Sequence, residues 1–228
     1  MRDTALSQIL QRAAASAQAA GRPEARLLAV SKTQPTEAMA ALAAQGQHAF
    51  GEDYVQEAAA KIAALAPLGL EWHLIGHLQS NKADIAARLF DWVQTVDRPK
   101  LVDALARHRP AELPPLNVLV QVNIDDEGSK SGCAPGDIDA LADAVAAQPR
   151  LRLRSLMAIP APFPDEAPRR AAFRRMRALF DALAARHPGI DTLSMGMSGD
   201  FELAIAEGAT MVRVGTALFG ARPPKPAA

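Results

Sequence analysis

Short runs of β-branched and other apolar residues recur along the chain, separated by alanine-rich stretches in which apolar positions return every three or four residues. The first pattern is that of strands buried on both faces, and the second that of helices covering them. It predicts eight strands: 26–32, 48–53, 72–77, 92–97, 117–125, 151–159, 192–198 and 211–219. Helices are expected over 36–45, 53–66, 80–90, 99–109, 136–148, 166–186 and 200–207. Strands alternating with helices imply a parallel sheet, and eight is the number that closes a (β/α)8 TIM-type barrel. A doubly wound open sheet is the alternative, but Ala29-Val-Ser-Lys-Thr-Gln-Pro35 follows the first strand where a G-x-G-x-x-G loop would be required. Little chain follows strand eight, so an extra N-terminal helix over 3–20 is expected to fill the outer ring. Leu6, Ile9, Leu10, Ala13 and Ala17 share one of its faces. No linker stands out, and residues 1–228 are read as a single domain.

Composition narrows the function classes. Formal charge is zero, with 25 Lys+Arg against 25 Asp+Glu, so the basic excess usual in nucleic-acid binding is missing. No apolar run reaches the roughly 18 residues of a membrane span. The N-terminus lacks the continuous apolar stretch of a signal peptide. Cys133 is the only cysteine, which rules out an intrachain disulfide and suits a reducing compartment. Cytoplasmic location is the expectation.

Barrel sites form where strands end, often with phosphate held after strands seven and eight. Polar and glycine-rich residues gather at those ends: Lys32; Gly51-Glu-Asp-Tyr54; His73 to His77; Ser194-Met-Gly-Met-Ser-Gly-Asp200; and Arg213-Val-Gly-Thr216. By alternation Leu28, Val30 and Lys32 share one face of strand one, and Leu27, Ala29 and Ser31 the other. An amine at the mouth of a buried strand is partly desolvated, which favours the free base needed for a Schiff base. A solvated lysine ending a strand is the bland alternative. Ser198 and Gly199, at the opening of the next helix, and Gly215 with Thr216 offer hydroxyls and approachable backbone N–H groups suited to phosphate. Arg213 points to the same side as Gly215 and needs an acceptor, either a carboxylate on another strand or a ligand ring nitrogen. His73 and His77 lie about 13 Å apart on a strand, too far to share one metal ion. Cys133 lacks a nucleophile signature, and Arg169, Arg170, Arg174, Arg175 and Arg177 read as a solvated helix face.

Six motifs occur in order: Ala29-Val-Ser-Lys-Thr33, Phe50-Gly-Glu-Asp-Tyr-Val-Gln-Glu57, Trp72-His-Leu-Ile-Gly-His-Leu-Gln-Ser-Asn-Lys82, Val122-Asn-Ile124 with Lys130-Ser-Gly132, Leu193 to Asp200, and Val212 to Gly220. Together they resemble the pyridoxal phosphate homeostasis (YggS-like) family over essentially the whole chain. The resemblance implies a barrel like the alanine racemase N-terminal domain, carrying pyridoxal 5′-phosphate on Lys32 as a Schiff base. It further implies phosphate contacts from Ser198, Gly199, Gly215 and Thr216, and Arg213 facing the pyridine nitrogen. Where the family has asparagine in Gly-Glu-Asn-Tyr, this chain has Asp53, which places a carboxylate in the expected cofactor contact. The implied role is vitamin B6 homeostasis rather than catalysis, with the cofactor and pyridoxal-phosphate-dependent apo-enzymes as partners. Amino-acid racemase is the rival reading, weakened because Tyr54, the only tyrosine, does not match the racemase's second base. A sugar-phosphate barrel enzyme would leave Lys32 and Arg213 with less specific jobs. The racemase's second domain has no counterpart, removing its reason to dimerise, so a monomer is expected.

Overall fold

The computed structural model describes residues 4–126 and 131–220. Lys130 of the fourth motif, Asp3 at the expected helix start and the segment 221–228 lie outside the described residues. Eight parallel strands close into a barrel in sequence order. They are β1 (Arg26–Val30), β2 (Ala49–Glu52), β3 (Glu71–Leu74), β4 (Trp92–Val96), β5 (Leu116–Val122), β6 (Leu151–Ala158), β7 (Thr192–Ser194) and β8 (Met211–Val214). The helices between them are α2 (Thr36–Ala43), α3 (Val55–Leu65), α4 (Ala83–Leu89), α5 (Pro99–His108), α6 (Ile138–Ala146), α7 (Glu166–Arg186) and α8 (Phe201–Ala206). The expected (β/α)8 barrel is the fold.

Alternation along the strands sorts the core into layers. Outward residues such as Leu27, Ala29, Phe50, Leu74, Val118 and Val212 join the helices in the main apolar cluster. Inside the barrel lie two smaller clusters, Leu28, Ala49, Ile75 and Met211 on one side and Trp92, Leu119 and Met157 on another. Alanines at 83, 86, 87 and 142 are buried on the helix faces, where a small side chain leaves little bulk between helix and sheet.

The N-terminal helix α1 (Ala5–Ala19) starts on a reciprocal cap. The Ser7 N–H donates to Thr4 Oγ1 at 3.2 Å, and the Thr4 N–H to Ser7 Oγ at 2.9 Å. It packs on α8, filling the outer ring as the sequence suggested, and on a short helix that the sequence did not predict, α9 (Thr216–Phe219). Arg12 fastens it with two N–H groups to the Glu202 carboxylate.

Several strands end earlier than the apolar pattern suggests. Strand β1 stops at Val30 rather than residue 32, β3 at Leu74 rather than 77, β7 at Ser194 rather than 198, and β8 at Val214 rather than 219. At the barrel rim the chain must turn outward toward the next helix, so the run of apolar residues outlasts the ladder. Gly215 opens α9, whose Leu218 and Phe219 pack partly buried on the main core. The arginines of α7 are not simply solvated. Arg170 and Arg174 pair with the largely buried Glu207 after α8, and Arg175 donates to the Ile124 carbonyl and Asp125 after β5.

Candidate functional site

Lys32 leaves the barrel immediately after β1, where Leu28 and Val30 belong to the interior cluster. Its Nζ donates to Asp53 Oδ2 at 2.6 Å, both side chains being about a quarter exposed (28% and 22%). Asp53 comes from the exit of β2, and Gly76 at the exit of β3 lets it sit there. A Cβ on Gly76 would lie 2.1 Å from the Asp53 carbonyl oxygen, closer than any side chain can come.

The residues on either side of Lys32 are pinned from α3. Buried Lys61 donates to the Ser31 carbonyl at 2.7 Å, to both Glu52 carboxylate oxygens at 3.0 Å, and to Glu57 at 2.6 Å. Ser31 Oγ donates to Glu52 at 2.5 Å, and the Thr33 N–H donates to Glu57 at 2.6 Å. Burial raises the Glu52 carboxyl above its ordinary range, with Ser31 and Lys61 opposing the shift. Thr33 is left-handed, with φ at 62°, a costly state for a β-branched residue. The Glu57 bond and a turn from the Gln34 N–H to the Ser31 carbonyl (3.0 Å) hold it in that state.

Arg213 lies deeper on β8 and is 4% exposed. Its Nη1 donates to Ser194 Oγ and its Nη2 to the Ala158 carbonyl, each at 2.8 Å. Among the described residues no carboxylate pairs with it, so the alternative of a carboxylate on another strand does not apply. Burial lowers it to about 10, with Asp200 and Asp53 opposing from a distance. A guanidinium makes five N–H donors, and these bonds engage only two of its nitrogens.

After β7 the chain turns tightly through Met197–Asp200, with the Met197 N–H donating to Asp200 Oδ1 at 2.7 Å. Gly196 makes that turn possible at φ 92°, where a Cβ would lie 2.5 Å from the Ala204 Cβ. Ser198 Oγ accepts the Gly215 N–H at 3.2 Å, joining the two polar clusters. Ser198 and Gly199 lie in the turn ahead of α8 rather than in its first turn, and Gly215 caps α9 instead of continuing β8.

All seven residues singled out from the sequence, Lys32, Asp53, Ser198, Gly199, Arg213, Gly215 and Thr216, line one cavity of about 510 Å³. That is within the usual range of small-ligand sites. Sequence reasoning missed Gln121 on the β3–β5 side, and named Ser131 and His77 there without giving either a ligand role. Gln121 follows inward-facing Leu119 by two positions, a signal that alternation offered. Ser131 Oγ and His77 Nδ1 lie 3.1 Å apart at that wall. His73 instead sits wholly buried, stacked on Trp92 at 5.0 Å between ring centroids. Among the described residues no three His, Cys, Asp or Glu side chains are grouped to hold a metal.

Residues 5–223 match the family described as alanine racemase, N-terminal domain. A pyridoxal phosphate homeostasis protein of Pseudomonas aeruginosa is 55% identical, covering 95% of this chain and 94% of that one. Its Escherichia coli namesake is 54% identical over 95% of each. Among solved structures, PipY of Synechococcus elongatus with PLP bound superposes with a TM-score of 0.79 at 39% identity, covering 93% of this chain and 100% of that one. Alanine racemase of Corynebacterium glutamicum gives 0.65 at 23% identity and shares the fold, this chain spanning 63% of its length.

Proposed function

The chain belongs to the pyridoxal phosphate homeostasis protein family, and from that premise we propose that it holds pyridoxal 5′-phosphate on Lys32 in vitamin B6 homeostasis. One observation carries the assignment of residues: a single cavity combines a primary amine, a buried guanidinium with no carboxylate partner among the described residues, and a serine–glycine–threonine cluster. These donors fit an aromatic aldehyde bearing a phosphate. Such a group supplies, when bound, an aldehyde with which a lysine amine condenses, losing water.

The chain's own residues do the rest. Asp53 Oδ2 accepts an N–H of Lys32 and so holds its Nζ at the mouth of the barrel, facing the cavity. Ser198 and Thr216 hydroxyls, with the Gly199 N–H, serve phosphate oxygens, and the Gly215 N–H, bonded to Ser198 Oγ, turns that hydroxyl's hydrogen toward the ligand. Arg213 donates and cannot accept, so it keeps a facing ring nitrogen free of a proton. That weakens the ring as an electron sink and suits holding over carbanion chemistry. Tyr54 is 62% exposed and is not among the cavity residues, which removes the opposite-face tyrosine that racemisation would call on. The protein acts, in this reading, as a monomeric single-domain carrier in the cytoplasm that supplies cofactor to apo-enzymes.

Mixing the unloaded protein with pyridoxal phosphate, reducing with borohydride and mapping the adduct tests the central step. The expected product is modified Lys32, lost in Lys32→Ala; modification elsewhere, or none, overturns it. Alanine racemisation by the loaded protein is expected to be insubstantial. Robust turnover abolished by Lys32→Ala would establish the enzyme reading instead.

A further inference from the structure

A line of buried polar side chains runs through the barrel beneath the cavity. From Arg213 Nη1 it passes to Ser194 Oγ (2.8 Å), from Ser194 Oγ to Gln94 Oε1 (2.7 Å), from Gln94 Nε2 to His73 Nδ1 (2.9 Å), and from His73 Nε2 to Glu71 Oε1 (2.7 Å). Glu71 opens β3 at the opposite mouth of the barrel, where Arg26 donates to it at 2.7 Å. Ser194, Gln94 and His73 are each 0% exposed.

The direction of every bond follows from Arg213. A guanidinium only donates, so Ser194 Oγ accepts from it and must spend its one hydrogen on Gln94 Oε1. That fixes the Gln94 amide with its nitrogen toward His73. Its two hydrogens then go to His73 Nδ1 and to Met211 Sδ, 3.2 Å away. Nδ1 is therefore an acceptor, and the ring proton sits on Nε2 and donates to Glu71. We propose that Ser194, Gln94 and His73 are positioning residues for Arg213, a one-way chain that anchors its Nη1 and aims its remaining N–H groups at a ligand acceptor, with His73 held as the neutral Nε2–H tautomer.

Charge and burial agree with this polarity. Burial pushes His73 down, with Glu71 opposing. Burial works against ionised Glu71 too, yet the hydrogen bond from His73 and the Arg26 guanidinium favour its charged form. A doubly protonated His73 would set two donors, its own Nδ1–H and the Gln94 amide, against each other. Reversing the amide would then set two donors, Gln94 and Arg213, on Ser194 and cost the Met211 contact. The floor of the cavity is thus built to meet a bare lone pair on the ligand.

This inference rests on the proposed cofactor site for its ligand, but the chain can be tested without it. Long-range proton–nitrogen spectra of the unloaded, histidine-labelled protein at neutral pH are expected to show His73 protonated on Nε2 alone. An Nδ1–H tautomer or an imidazolium overturns the proposal. In the loaded protein Ser194→Ala is expected to keep borohydride labelling at Lys32, release pyridoxal phosphate about tenfold faster and shift the absorption band of the bound chromophore. Unchanged release and an unchanged band overturn the positioning role. If the unaltered protein fails to label at Lys32, the cofactor assignment falls, while the histidine spectra still decide the direction of the chain.

Discussion

Replacing Lys61 by methionine isolates the network that braces Lys32. In the intact protein the Glu52 carboxylate has no exposed side-chain surface and meets the Lys61 ammonium through both oxygens. Lys61→Met keeps most of the aliphatic stem but leaves that carboxylate buried with only the Ser31 hydroxyl as donor. Removing one partner of a buried ion pair costs about 3–5 kcal/mol. Glu52 can escape part of this by binding a proton. From its ordinary value of 4.5 to pH 7 is about two and a half pH units, and at about 1.4 kcal/mol per unit the escape costs about 3 kcal/mol. Since burial already raises Glu52 in the intact protein, that figure is an upper bound, and the expected loss of unfolding free energy at pH 7 is at most about 3 kcal/mol.

The pH dependence is more diagnostic than the size. With Glu52 protonated in the folded variant and ionised once unfolded, the native state binds the extra proton, so stability falls as pH rises. Because burial already raises Glu52 in the intact protein, the variant's deficit is expected to stay small until that carboxyl ionises and to grow by up to about 1.4 kcal/mol per unit above that point. Urea unfolding of both proteins across that range measures it. Adding Glu52→Gln to Lys61→Met should abolish the slope. A deficit below about 1 kcal/mol at pH 7, or one independent of pH, would refute the account of Glu52 as a buried charge neutralised by Lys61.

Further outcomes follow from other contacts. Gly76→Ala forces its Cβ against the Asp53 backbone and is expected to cost about 3 kcal/mol and to slow labelling of Lys32, read by urea unfolding and borohydride trapping. Asp53→Asn removes a partly exposed ion pair, so stability should fall by no more than about 1 kcal/mol while Lys32 still labels; loss of labelling would make the carboxylate indispensable. Burial pushes the Cys133 thiol up to about 12, so at pH 8 it should resist a thiol-specific disulfide reagent until the protein is unfolded in urea.

The barrel was legible because strand and helix periods differ and eight alternations leave few closures. That the candidate residues would share one cavity was legible because they cluster where those strands end. The bracing network was not. Lys61 stands four residues after Glu57 on an alanine-rich helix, which reads as an ordinary surface pair, and only the approach of β1 and β2 buries it. His73 and Gln94 escaped for a related reason: isolated polar residues in apolar strands declare no partner until closure brings the strands together. The stretch from Met211 to Phe219 reads as one strand because Leu218 and Phe219 are apolar, yet they pack from a short helix.

The order of the strands around the ring has a consequence for the protein's lifetime. Ser198 follows β7, Arg213 and Gly215 lie on and after β8, and Lys32 follows β1, so these residues span the closure between the last and first strands. Strand β7, three residues long, is the shortest stave. A ligand held by all of them laces three neighbouring staves across the seam, and by mass action adds about 2.7 kcal/mol at a free concentration a hundredfold above its dissociation constant. Hydrogen exchange along β7, β8 and β1 would then slow as free cofactor rises. When the vitamin is scarce the seam would open more often, and proteolytic turnover of the chain would become a gauge of supply.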